Sequence, residues 1–384
     1  MGKILKTIIW IVVVVLVVWG IYSLSTRESS VDLGNEPIKI GWIGPLTGNV
    51  ATWGEGMKNV FSLAIKEINN DGGIDGHELQ VIYEDGKCNG KDAATAMQKL
   101  ANIDQVEVVV GGFCSSESIS SVPIAEQAKV FMISAGSSSP YLTGISQYFA
   151  RNYPSDSSQS TILANIAYNN KNWKNIAIIQ EQTDYAQALY ETFEEEFESM
   201  GGTVVINEKF KVGDTDFKTS LAKIKNQNPN AVFLLTQSGP AAAQIAKQMV
   251  ELSWNIPLMA SDALITDTET ISKNPDVLEG TIGAVFGTNP DNQKFQNLIS
   301  LYQEKYGKEL PYQSYAQTYY DAAFLVKEGI ESVGNNGKSL AKWIRTIKDW
   351  QGAAGSVTIK ENGDLKGGLS PRIIRNGEIV PYER

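Results

Sequence analysis

The residues of this chain best placed for chemistry are clustered serines, two cysteines and one isolated acid. The stretch "VVVGGFCSSESIS" (108–120) stops an apolar run at two glycines, then presents Cys114, Ser115 and Ser116. Open backbone and dense hydroxyls at a strand end suit a serine or cysteine nucleophile, a phosphate cradle, or a seat for some other anion. A nucleophile needs a base, and the single histidine, His77, lies in the glycine-rich turn "GGIDGHELQ". No G-x-S-x-G surrounds Ser115, so a hydrolase using Ser115 is the weakest reading. "GNNGKS" (334–339) is two residues short of a Walker A loop and follows no strand. "GDTD" (213–216) and "DGGID" (71–75) lack the ligand count of a calcium loop, so no metal site and no cofactor are expected.

What survives is anion binding. A second loop, "SAGSSSPYL" (134–142), carries Gly136 and Ser138 and repeats the pattern. Neither loop has an arginine or lysine, which undersupplies a phosphate and suits a single carboxylate held by helix N-terminal N–H groups. Asp262, in "PLMASDALI", directly follows an apolar strand. Alone it reads as a helix N-cap. Opposite a carboxylate seat it could take an ammonium, which makes the ligand a zwitterion. Trp53, Tyr185 and Tyr315 also sit in strand-end loops, where single aromatics are ordinarily core or rim residues.

These loops need elements to aim them. From residue 37, strand and helix patterns alternate: strands near 38–44, 79–84, 106–110 and 130–134, with helices at 55–70, 91–102 and 118–128. The pattern restarts at 175–180, with strands near 203–208, 231–236, 257–260 and 281–286. Helices follow at 292–306, 313–332 and 338–349, then a tail of short strands with an "ENGD" turn. Two such runs imply an α/β protein of two lobes, each a mostly parallel sheet flanked by helices, with ligand in the cleft beyond the strand ends. Residues 37–156 and 286–356 are expected to form lobe 1 and residues 157–285 and 357–384 lobe 2, with hinge crossings near 156, 285 and 356.

The net charge of −10 excludes a nucleic-acid partner, which needs a basic footprint. Ile8–Leu24 is almost wholly apolar, preceded by Lys3 and Lys6 and followed by Arg27, Glu28 and Asp32. A run of that length and flanking charge predicts a retained membrane anchor with the rest of the chain exported. The alternative is a cleaved signal peptide with Ser23-x-Ser25 as its site. Residues 1–36 are thus an anchor or signal segment plus a polar linker. Cys88 and Cys114 each follow a strand, so neighbouring parallel strands would bring them to one sheet edge. A disulfide is expected in an oxidising compartment, with two buried free thiols as the alternative.

The order "IGPLTG", "ATWG", "AIKEIN", "GGIDG", "YEDGKC", "GGFCSSES" and "MISAGSSSPYLT" resembles the type I periplasmic binding proteins, in particular the leucine/isoleucine/valine-binding branch serving ABC importers. The resemblance runs from about residue 37 to the end. It implies a non-enzymatic, monomeric receptor that captures a neutral amino acid, the branched-chain ones among the candidates, and delivers it to a permease. Ser115 would hold the α-carboxylate, the Gly136 carbonyl the α-ammonium, and Ser138 both. Asp262 would pair with the ammonium, and Trp53, Tyr185 and Tyr315 would shut and line the cleft. Two departures stand out. Asp262 is one methylene shorter than the glutamate common in that branch, and Gln237 replaces an aromatic, which points to a polar or smaller ligand. A tethered sensor, or a binder of amides or aromatic acids on the same fold, is the alternative role.

Overall fold

Two sheets built on the same strand order carry the fold. The computed structural model describes residues 36–383. In the first sheet, β1 (Ile38–Gly44), β2 (Leu79–Asp85), β3 (Val108–Val110), β4 (Phe131–Ser134) and β5 (Phe149–Arg151) run parallel in the order β2-β1-β3-β4-β5. The second repeats it with β6 (Asn175–Glu181), β7 (Thr203–Phe210), β8 (Ala231–Leu235), β9 (Leu258–Ala260) and β10 (Ile282–Val285), ordered β7-β6-β8-β9-β10. A small hairpin pairs β11 (Trp350–Gly352) with β12 (Gly355–Val357), and a second hairpin extends the second sheet, β13 (Ser370–Arg375) antiparallel to β10 and β14 (Glu378–Pro381) antiparallel to β13. The inner strands read as unbroken apolar runs because helices cover both faces, and β3, β4 and β8 are buried throughout.

This order reverses direction between the first and third strands of each unit, and the crevice lies there, beyond the carboxyl ends. Loops after β1, β3 and β4 therefore meet loops after β6, β8 and β9. The predicted helix at 118–128 begins earlier, at Ser115, which places Ser115 in its first turn. The helix Gln313–Val333 packs with Ala51–Asn70 on the first sheet, returning the chain to that lobe after β10. The last crossing comes later than the expected 356: Val357, Ile359 and Leu365 are buried in the first lobe's core. Strand β5 and the helix Ser157–Asn165 are additions to the sequence-based elements.

Residues 1–35, on which the expected anchor falls, lie outside the described residues. Among the described residues no helix is long and apolar enough to cross a membrane.

Arg151, at the end of β5, is fully buried. Its Nε donates to Asp364 at 2.7 Å, Nη1 to the Ser139 carbonyl at 2.8 Å, and Nη2 to Thr143 Oγ1 at 2.9 Å. One guanidinium thus ties the tail to the serine loop after β4. Removing one partner of a buried pair strands the other charge. Arg151→Ala should cost about 3–5 kcal/mol in chemical denaturation, whereas Arg151→Met combined with Asp364→Leu should recover most of it.

Candidate functional site

Most of the hydroxyls that crowd the two serine loops hold the loops together. Ser118 Oγ bonds Ser137 Oγ at 2.7 Å, and Ser134 Oγ and Ser137 Oγ donate to the Gly112 carbonyl at 2.8 and 2.9 Å. Ser139 N–H donates to Ser115 Oγ at 3.2 Å. Ser115 and Ser138 line a cavity in the cleft together with Trp53, Gly136, Tyr185, Gln237 and Tyr315. Seven of the eight expected ligand residues are therefore brought together, from both lobes. Ser115 lies in the first turn of Ser115–Ala128, where a helix has N–H groups it cannot satisfy internally and a positive dipole end.

Asp262, the eighth, lies behind the cavity wall, fully buried at the start of a short helix after β9. Three tyrosines donate to its carboxylate: Tyr185 at 2.5 Å, Tyr153 at 3.0 Å and Tyr315 at 3.0 Å. Gln159 Nε2 joins at 3.4 Å while its Oε1 accepts the Asp262 N–H at 2.9 Å. The same Nε2 donates to Asp156 at 2.8 Å, which links two buried acids. Burial, and then the Asp262 charge, push Asp156 well above the ordinary carboxylate range. Burial, followed by that same charge, likewise raises the Tyr185 and Tyr315 hydroxyls. No lysine or arginine lines the cavity.

Around this polar pair stands an aromatic shell. Trp53 lies 5.6 Å from Phe113, 5.6 Å from Tyr315 and 4.7 Å from Tyr312 between ring centres, and Tyr153 stacks on Tyr315 at 4.7 Å. Sequence reading omitted Phe113, Tyr153, Tyr312, Asp156 and Gln159. Tyr312 carried one local signal, its place just before the helix Gln313–Val333; it adopts a left-handed φ of 45°, unusual for a bulky residue. Only about 30 Å³ of the cavity is open to the centre of a water molecule, room for a couple of waters.

Cys88 and Cys114 form the expected disulfide. Beneath it Glu117, fully buried, accepts the N–H groups of Cys114 at 2.9 Å and Cys88 at 3.0 Å. Among the described residues no group of acids, histidines or cysteines is arranged to hold a metal.

Comparison with known proteins agrees with this architecture. The family model for periplasmic binding proteins matches residues 37–369. The Leu/Ile/Val-binding protein BraC3 of Rhizobium johnstonii is 28% identical, the match covering 87% of this chain and 90% of that protein. A leucine-, isoleucine-, valine-, threonine- and alanine-binding protein of Pseudomonas aeruginosa is 25% identical over 88% of this chain and 90% of its own length. Among solved structures, a leucine-binding protein of Thermotoga maritima superposes with a TM-score of 0.80 at 26% identity, covering 89% of this chain and 97% of that one. A Rhodopseudomonas palustris solute-binding protein in complex with benzoate shares the fold, with a TM-score of 0.79 at 18% identity over 90% of this chain and 95% of its own. The chain belongs to the periplasmic binding protein family. It is an extracytoplasmic solute-binding protein, not an enzyme.

Glu117 provides a test of how the first lobe is held. Burial pushes its pKa up to about 7 from 4.5, against the pull of its N–H donors. The folded state then holds this proton more tightly than the unfolded chain, so stability falls as pH rises from about 4.5 to about 7. In urea denaturation, Glu117→Gln should flatten that decline relative to the wild type, by up to about 3 kcal/mol between pH 5 and 7.5.

Proposed function

We propose that the cleft captures a neutral amino acid and presents it to the permease of an ABC importer. The observation that carries this reading is the pairing of opposite demands across one closed cleft. On one wall stand a helix N-terminus and the Ser115 hydroxyl, suited to a carboxylate. Behind the other, beneath Tyr185 and Tyr315, lie the buried acids Asp262 and Asp156, with no cation in the lining. A free α-amino acid answers both. The names of the relatives, amino-acid binders for the most part, support it. The benzoate-bound neighbour supports the fold, but a benzoate would leave Asp262 without a cation.

In this reading Ser115, Ser138 and the Gly136 carbonyl hold the ligand's α-groups. Asp262 receives the ammonium through a shift of Tyr185 or Tyr315, and Trp53 closes the lid. The lobes move about the strands that cross near Asp156, after β10 and after Leu365. Ligand bridging both lobes favours the closed state, which the permease reads. Contacts across the cleft, Tyr315 and Tyr153 to Asp262 and Tyr141 to Glu191, belong to that state. The apolar run Ile8–Leu24 then serves as an anchor that keeps the receptor beside its permease.

Titration calorimetry on protein stripped of carried ligand by unfolding and refolding tests this. One group of neutral amino acids should bind at micromolar affinity or tighter, with benzoate and aliphatic amides inert. Asp262→Asn, nearly isosteric, should lose about 2–5 kcal/mol of that affinity, as for a desolvated charge pair. Unchanged affinity in that variant, or binding of benzoate alone, would overturn the zwitterion reading.

A further inference from the structure

Gln237 follows β8, at the point where the second sheet's strand order reverses, and its side chain enters the cleft. Its backbone N–H donates to Glu181 at 2.7 Å, which fixes the residue from behind. Its amide nitrogen lies against Cys88 Sγ, on the opposite lobe. Its amide oxygen is sealed from solvent, has no hydrogen-bond partner among the described residues, and belongs to a residue that lines the cavity. A buried carbonyl left without a donor is costly, so a binding site that keeps one is complementary to something that donates.

The head groups of a bound amino acid are accounted for by Ser115, Ser138 and the Asp262 wall. Gln237 therefore faces what remains of the ligand. The free space is small, and the cavity lining also includes the apolar Val50, Trp53 and Ala263. A long aliphatic side chain would both overfill this space and displace any water that had satisfied the amide, with nothing to replace it. A short side chain ending in a hydroxyl fits the space and the amide. It does so whichever way the amide is turned, because a hydroxyl both donates and accepts.

We propose that Gln237 is the specificity-determining residue of the cleft and that it selects a neutral amino acid with a short hydroxyl side chain, threonine or serine, over the aliphatic leucine, isoleucine and valine. This rests on the amino-acid reading above and narrows it. Threonine and valine have nearly the same shape and differ by a hydroxyl against a methyl, so their ratio isolates the hydrogen bond. A site built to bond a hydroxyl rejects the analogue that lacks it.

The test is calorimetric titration of the full chain, stripped of ligand, with threonine, serine, valine, leucine and benzoate, for the wild type and for Gln237→Leu and Gln237→Met. Threonine should bind the wild type at least ~10-fold more tightly than valine, and both variants should shrink or reverse that ratio. If valine or leucine binds the wild type as tightly as threonine, the specificity proposal falls while the amino-acid reading stands. If the wild type prefers threonine but both variants keep the preference, Gln237 is not the selector and the proposal also falls. If only benzoate binds, both readings fall together. The wild-type ratio decides the ligand class even if neither variant folds.

Discussion

Two carboxylates buried in one closed cleft, with no lysine or arginine lining it, set the terms for the rest of the site. Asp262 and Asp156 are both fully buried, and they share the amide of Gln159. Buried charge is tolerable only where hydrogen bonds replace water. Here the donors come from both sides: Tyr153 and Tyr315 with the first lobe, Tyr185 and Gln159 with the second. Parting the lobes would withdraw half of these donors and return the acids to water. Closing them without a ligand leaves the Asp262 charge held by neutral donors alone, because burial raises the tyrosine hydroxyls and Asp156 and keeps their protons on. In the amino-acid reading a ligand cation supplies the missing counter-charge at the place where the lobes meet, which gives closure a reason to wait for ligand.

The carboxylate side is arranged differently. Its donors are fixed before any ligand arrives, because the disulfide and Glu117 lock the loop after β3 to the loop after β2, and the serine network locks it to the loop after β4. Arg151 adds a further tie from behind. Preorganised donors need little ordering on binding, so their affinity is not spent on arranging themselves. The first lobe therefore reads as the rigid half of the site.

Much of this was legible in the sequence, and the reasons are local. The alternation of apolar strand runs with helical periodicity located β1 to β4 and β6 to β10 to within a few residues, because central parallel strands are apolar throughout. Strand-end position marked the loops, since a parallel sheet delivers all its following loops to one edge, and the family resemblance named the residues, seven of which line the cavity. What escaped depends on partners far along the chain. Strand β5 is only "FAR", and its charged Arg151 can be buried because Asp364, over two hundred positions away, supplies the counter-charge. The same distant pairing holds the segment 357–365 in the first lobe and delays the last crossing. Tyr153, Asp156 and Gln159 sit in a stretch with no strand-end signature of its own, yet they surround Asp262. The serines misled in the other direction, since their density suggested ligand contacts where most are spent on neighbouring loops.

Asp262 shows where residue-by-residue carry-over stops. Its position and charge suit an ammonium partner, but a shorter acid sits back from the cavity, and tyrosine hydroxyls occupy the intervening space. The space in front of Asp262 is thus filled by groups that can either bridge to an ammonium or rotate aside for it. In the amino-acid reading the acid then acts on the ligand through those hydroxyls rather than by direct contact. The short acid on one side and the amide of Gln237 on the other act in the same direction, toward a ligand more compact and more polar than leucine.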